Sequence, residues 1–197
     1  MKHLAIGCLA SCVFLCVSAQ TSVASSAHHE LGVILDEVRA LIVDAKKPPV
    51  ERQDALHILV LSRFDVREMS RRALAIHWKT TSLNQERFVL LFTRYIERLF
   101  LKHIRKIQDV EVTLLVDRTA RTSAYIDTKF LVKTPKSQND YYVDFKMRID
   151  EDRWKIFDVI IQGVSIVSMF RSQFKTLLEK HSFEELLDIL EKKISAV

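Results

Sequence analysis

The stretch WKIFDVIIQGVSIVSMFRSQF, residues 154–174, joins an unusually apolar strand to an apolar-faced helix through one glycine. The two-residue side-chain period puts Trp154, Ile156 and Ile160 on one face of the strand and Phe157, Val159 and Ile161 on the other. Only Lys155 and Asp158 interrupt the run. Both faces therefore need apolar cover, and the strand is expected in the centre of a sheet rather than at its edge. Gly163 is, with Gly32, one of two glycines beyond residue 19. It supplies either a backbone conformation or a close approach that a side chain would forbid. After it, Val164, Val167, Met169, Phe170, Phe174 and Leu177 recur at roughly helical spacing. Sheet turns into helix at this point.

Upstream of this stretch the pattern is strand-like back to Asp109. Val110, Val112, Leu114 and Val116 alternate with polar residues, and Ala124, Ile126 and Phe130 share one side of a second strand over 120–132. A turn over Pro135 to Asn139 leads to a third strand, where Tyr141, Val143, Phe145, Met147 and Ile149 face one way and Asp144, Lys146 and Arg148 the other. Glu151-Asp152 turns the chain into the central strand. Four strands with short connections predict an antiparallel meander with helices before and after it.

The helices have clear punctuation. Leu31, Ile34, Leu35, Val38, Leu41 and Ile42 form one face of a helix over 30–46, which Pro48-Pro49 ends. A second helix spans about 50–62. A third starts after Asp65, a good N-cap, and carries Val66, Met69, Leu74 and Trp78. Ser82 with Gln85 three residues on predicts a capping box for the longest helix, to about His103, whose face of Phe88, Leu91, Phe92, Tyr95 and Leu99 is rich in aromatic rings. Ser182 with Glu185 predicts the same device for a last helix bearing Phe183, Leu186, Leu187, Ile189 and Leu190.

At 197 residues, 48% of them hydrophobic, the chain suits one domain with a sizeable core. Lys2 and His3 precede an uncharged apolar run from Leu4 to Ala19, with Val17-Ser18-Ala19 as a small-residue cleavage site. This predicts a cleaved signal peptide over 1–19, a disordered new terminus over 20–29 and a single domain over 30–197. Leu9-Ala10-Ser11-Cys12 also matches a lipoprotein box, which would make Cys12 an acylated first residue, although the apolar run continues well past it. All three cysteines lie within residues 1–19, so cleavage after Ala19 leaves no thiol or disulfide chemistry. The net charge of +5 falls to +4 without Lys2. That spread-out surplus suits anionic membrane surfaces or acidic partners, whereas nucleic-acid binding asks for denser basic clusters among stacking aromatics.

Catalytic patterns are scarce. His28-His29, His57, His77, His103 and His181 show no metal-ligand spacing, and two glycines build no phosphate-cradling loop. No serine sits in a nucleophile elbow. The reading is a non-enzyme without cofactors, built from an apolar sheet face opposite aromatic-striped helices. Such layers either close as a core or open into a cavity for an apolar ligand. Periodicity does not separate the two.

The strings W-K-I-F-D-V, G-V-S-I-V and F-R-S-Q-F resemble the signature region of the MlaC family, the periplasmic phospholipid-binding proteins of the Mla transport system, also described as the toluene-tolerance family. A second match comprises Leu74, Ala75, His77, Trp78 and Lys79, then Thr81, Gln85, Arg87, Phe88, Phe92, Tyr95 and Leu99. There, Ala75 and Ile76 stand where the family commonly has glycine. The resemblance spans nearly the whole chain beyond the leader. It implies an α+β fold, an antiparallel four-stranded β-meander packed with N-terminal and C-terminal helices, enclosing an apolar lipid cavity. It further implies a periplasmic carrier that shuttles phospholipid between an outer-membrane Mla lipoprotein-porin complex and an inner-membrane Mla ABC-transporter complex, maintaining outer-membrane lipid asymmetry. Phe92, Tyr95, Val143, Phe145, Met147, Val164, Val167 and Phe170 are the expected lining, each weighed against plain core. Arg171 either approaches a phosphate headgroup or pairs with an acid such as Asp158. A monomer is the default. Alternatives are a hopanoid or other apolar cargo, a cargo-free envelope adaptor, and a small exported enzyme.

Overall fold

The structure, a computed structural model, describes residues 26–43, 48–104, 109–133 and 137–196. Residues 1–25, where the leader and the lipoprotein box are expected, and 134–136, which hold the start of the predicted turn, lie outside the described residues. The chain runs through α1 (Ala27–Val43), α2 (Pro49–Arg63), α3 (Val66–Leu74), a 3-10 segment (Ala75–Asn84) and α4 (Gln85–Ile104). The strands β1 (Asp109–Thr119), β2 (Ser123–Lys133), β3 (Gln138–Asp150), β4 (Arg153–Ile161) and β5 (Val164–Ser165) follow, then α5 (Ile166–Leu178) and α6 (Phe183–Ala196).

Several boundaries follow directly from local chemistry. Pro49 sits in the first turn of α2, where its missing N–H costs nothing. Asp65 caps α3 by accepting the Glu68 N–H at 2.9 Å. The capping box at α6 is reciprocal: Ser182 N–H donates to Glu185 Oε2 at 2.7 Å, and Glu185 N–H donates to Ser182 Oγ at 3.3 Å. Elsewhere the expectation is corrected. The first helix begins at Ala27, which is fully buried, so residues 27–29 are ordered helix and not a loose terminus. The third helix stops at Leu74, short of Trp78, and Gln85 donates its side-chain N–H to the Trp78 carbonyl at 2.6 Å. α4 thus begins at Gln85, out of the 3-10 segment.

The sheet has five antiparallel strands in the order β1-β2-β3-β4-β5, not four. The fifth, Val164–Ser165, occupies the start of the expected helix and pairs back on Ile160 and Ile161. β4 is therefore next to last rather than central. Its outer edge is protected by β5 and by a bridge from Phe64, with Asp65 N–H donating to the Ile156 carbonyl at 2.8 Å. A bulge in β4 overturns the simple alternation as well. Lys146 pairs with Asp158 but Met147 pairs with Ile156, which leaves Phe157 as the extra residue. Past the bulge the faces exchange, so Val159 and Ile161 join Trp154 and Ile156, while Ile160 lies on the side of Asp158.

Two cores result, one on each side of β4. On one side α1 lays Ala27, Leu31, Ile34 and Leu35 against β2, β3 and β4. On the other, α3, α4, α5 and α6 pack around Phe88, Phe92, Phe170 and Phe174, and Phe157 is turned towards them by the bulge. Much of that second sheet face carries cross-strand polar pairs, including Lys129 with Asp140, Arg118 with Asp127 and Tyr125 with Asp144.

Candidate functional site

Antiparallel partners share a face, so the register defines one apolar surface across the sheet. It carries Ala124 and Ile126 of β2, Val143, Phe145 and Met147 of β3, and Trp154 and Ile156 of β4. Thr128 is the polar residue buried within it, and its hydroxyl donates to the Val143 carbonyl at 2.6 Å. Cover over this face is uneven. Along β3, exposure rises from 0% at Met147 to 8% at Val143 and 38% at Tyr141. Along β4 and β5 it reaches 41% at Ile161 and 56% at Val164, which pair with each other. An apolar face that is buried around Met147 in one cluster with Ala27, Leu31, Ile34 and Leu35 of α1 thus continues, still apolar, into exposed residues at the other end.

The eight residues expected as lining fall into two groups. Val143, Phe145 and Met147 lie on this face, buried. Val164 belongs to the same face through the pairs Val143 with Ile161 and Ile161 with Val164, although it is exposed and sits in β5. Phe92, Tyr95, Val167 and Phe170 lie on the other side of β4 in the helical core. There Phe92 and Phe170 meet edge to face at 5.0 Å, Phe92 and Phe174 at 5.4 Å, and Tyr95 and Phe170 at 5.8 Å. Those are close-packed aromatic contacts. The structure therefore does not bring the two groups together.

Arg171 is turned to the end of α3 and not to Asp158. Its Nε donates to the Arg72 carbonyl at 2.8 Å, at the end of α3. Asp158 is instead a capping centre for α5. It accepts Ser165 Oγ at 2.7 Å and Val167 N–H at 3.1 Å, and Lys146 Nζ stands 3.5 Å away. Tyr141, Ile161 and Phe130 were not among the expected site residues. The continued alternation Tyr141, Val143, Phe145, Met147 is the signal that placed Tyr141 on the face; the position of Ile161 depends on the bulge.

Two groups with strongly shifted titration lie away from this face, in structural bonds. The Tyr125 phenol donates to Asp144 at 2.7 Å on the opposite side of the sheet, and that bond pushes its pKa up to about 12. Glu68 is held down to about 2, chiefly by hydrogen bonds from Arg71 against the cost of burial. Among the described residues no group of three or more His, Cys, Asp and Glu could hold a metal ion, and no helix is long and apolar enough to cross a membrane.

Fold and face together define an α+β protein whose antiparallel sheet bears an apolar surface only partly roofed by helix. The sequence model of the MlaC protein family matches residues 34–192, and the chain belongs to that family. Among solved structures, the chain is similar to the phospholipid-binding protein from Ralstonia solanacearum in complex with a phospholipid, at a TM-score of 0.73 and 17% identity, over 87% of this chain and 98% of that one. That likeness shows the shared fold. A variant of the protein named Rd1NTF2_05 overlaps 35% of this chain and 60% of its own at a TM-score of 0.33 and 7% identity, which carries no argument. None of the curated proteins matches the chain.

Proposed function

We propose that this chain binds phospholipid and carries it through the periplasm, with its acyl chains laid against the apolar sheet face and its headgroup near the open end. The observation that carries this reading is the continuation of the face from buried Val143 to exposed Tyr141, Ile161 and Val164. A strip of apolar side chains that is continuous with the core and left in water is a surface that an apolar ligand can complete. Membership of the MlaC family and the fold shared with a phospholipid-binding protein support the same reading. Burial of each methylene is worth about 0.8 kcal/mol, so two chains of roughly 16 carbons carry on the order of 20 kcal/mol, which makes unaided passage through water prohibitive.

In this reading Val143, Phe145, Met147 and Val164 line a cavity that the acyl chains occupy, and Phe92, Tyr95, Val167 and Phe170 are the packed wall behind β4. The protein is a carrier, not an enzyme, and needs no cofactor. It is exported through residues 1–19 and shuttles lipid between the outer-membrane lipoprotein-porin and inner-membrane ABC-transporter complexes of the Mla system, in support of outer-membrane lipid asymmetry. Mass spectrometry of a solvent extract from protein purified without detergent tests the cargo. Diacyl phospholipid near one equivalent is expected. A protein that stays empty after incubation with lipid vesicles overturns the reading.

A further inference from the structure

We propose that the 3-10 segment Ala75–Asn84, together with the basic residues around the end of α3, docks directly on an anionic lipid bilayer. The segment holds Ile76 and Leu83, which at 81% and 97% exposure are the two most exposed large apolar side chains among the described residues. It is not a loose loop. Thr81 Oγ1 donates to the His77 carbonyl at 3.0 Å, Gln85 donates to the Trp78 carbonyl at 2.6 Å, and Asn84 bonds to Glu184. The guanidinium of Arg67 lies 5.5 Å over the Trp78 ring. Two aliphatic side chains are thus held out in water by a pinned element, a cost the fold itself does not recover.

The charge around them is complementary to a lipid surface. Arg71 and Arg72 share Glu68, Arg67 pairs with Glu86, and Arg171 bonds to the Arg72 carbonyl, which ties these groups into one patch. Exposed Lys79 follows Trp78 in the segment. Five cations, Arg67, Arg71, Arg72, Lys79 and Arg171, stand against three carboxylates, Glu68, Glu86 and Asp65, the last of which is also paired with Arg148. The acidic residues of α6 on this side, Glu184, Asp188 and Glu191, converge on a further arginine, Arg87, and Glu184 also accepts from Asn84 of the segment. Aliphatic side chains that enter the boundary between headgroups and acyl chains, beside guanidinium groups that meet phosphates, make an interfacial anchor. The patch lies on the helical side of β4, away from the face roofed by α1, so it makes contact with a membrane distinct from the cargo site.

Vesicle flotation with the purified protein tests this. Phosphatidylcholine vesicles are compared with vesicles in which about one lipid in three is phosphatidylglycerol, and binding is repeated in roughly 0.5 M salt. The expected result is several-fold more protein on the anionic vesicles, with most of that binding lost at high salt. Ile76→Ser combined with Leu83→Ser is expected to lower it roughly tenfold and Lys79→Gln about threefold, with unchanged thermal melting, since all three side chains are exposed. Absence of binding to anionic vesicles, equal binding to neutral ones, or undiminished binding by the double variant overturns the proposal. Mass spectrometry of bound lipid in the same preparations keeps the two readings separate. Loaded protein that ignores vesicles removes the docking surface and leaves carriage standing; empty protein that binds vesicles does the reverse.

Discussion

At Ala75 the backbone leaves α3 with φ 51° and ψ −116°, a region that a side chain makes costly. This is the position next to Ile76 where the family resemblance expects a glycine, and the strain gives that expectation a physical cause. Ala75→Gly is expected to raise stability by about 1 kcal/mol, the relief of strain outweighing the extra freedom of the unfolded chain. A shift of the urea midpoint to lower concentration would contradict it. Glu68 is the other residue with a specific consequence. Its side chain is 8% exposed, and Arg71 and Arg72 hold its pKa at about 2, below the ordinary glutamate value. A carboxylate with a lowered folded pKa stabilises the protein above its unfolded pKa and loses that contribution as pH falls through the folded one. The full shift corresponds to at most about 3 kcal/mol, and the half-exposed arginines reduce the expected value to about 1–2 kcal/mol. Melting curves of the wild type and Glu68→Gln should differ at pH 7 and converge between about pH 4.5 and pH 2.

Two hairpin turns and one bulge shape the elements around β4. Glu151 and Asp152 have φ of 47° and 62°, and Gln162 and Gly163 have 50° and 80°, both with the two positive values of a type I′ turn. A Cβ on Gly163 would meet nothing within 4 Å, so the glycine is required for its conformation and not for a close approach. Gly163→Ala should therefore cost about 1 kcal/mol through backbone strain alone, measurable by chemical denaturation. Immediately after this turn, Ser165 and Asp158 together satisfy the first N–H groups of α5. Asp158→Ala removes an acceptor for the buried Val167 N–H and for the Ser165 hydroxyl. A loss of about 2 kcal/mol is expected, and hydrogen exchange at the start of α5 should accelerate more than in α6.

Over the whole molecule, the two sides of β4 should respond differently to the same kind of change. Val143→Trp is expected to lower bound phospholipid while the protein still melts cooperatively, because the face beyond Val143 is open towards Tyr141 and Ile161. Phe92→Ala, in the middle of the aromatic contacts of α4 and α5, should instead cost about 3–5 kcal/mol and act on lipid only through unfolding. Equal effects of both on lipid content at full folding would place the cargo on the wrong side of the sheet.

Local chemistry was enough for much of this architecture. Asp65, Ser182 with Glu185, the proline stop before α2 and the alternation from Tyr141 to Ile149 each act within a few residues, so the sequence by itself determined the caps of α3 and α6, the meander and one apolar strand face. It also carried the strings by which the family is recognised. Tertiary structure alone decided the rest. Whether Phe157 is bulged depends on how β3 pairs with β4, and that register moves Val159 and Ile161 onto the face of Trp154 and Ile156. The same holds for β5, for the edge bridge from Phe64, and for the division of eight apolar residues between a sheet face and a helical core. Periodicity states which side chains share a face of one element. Which element then covers that face, and where the cover stops, is settled by contacts between residues far apart in the chain.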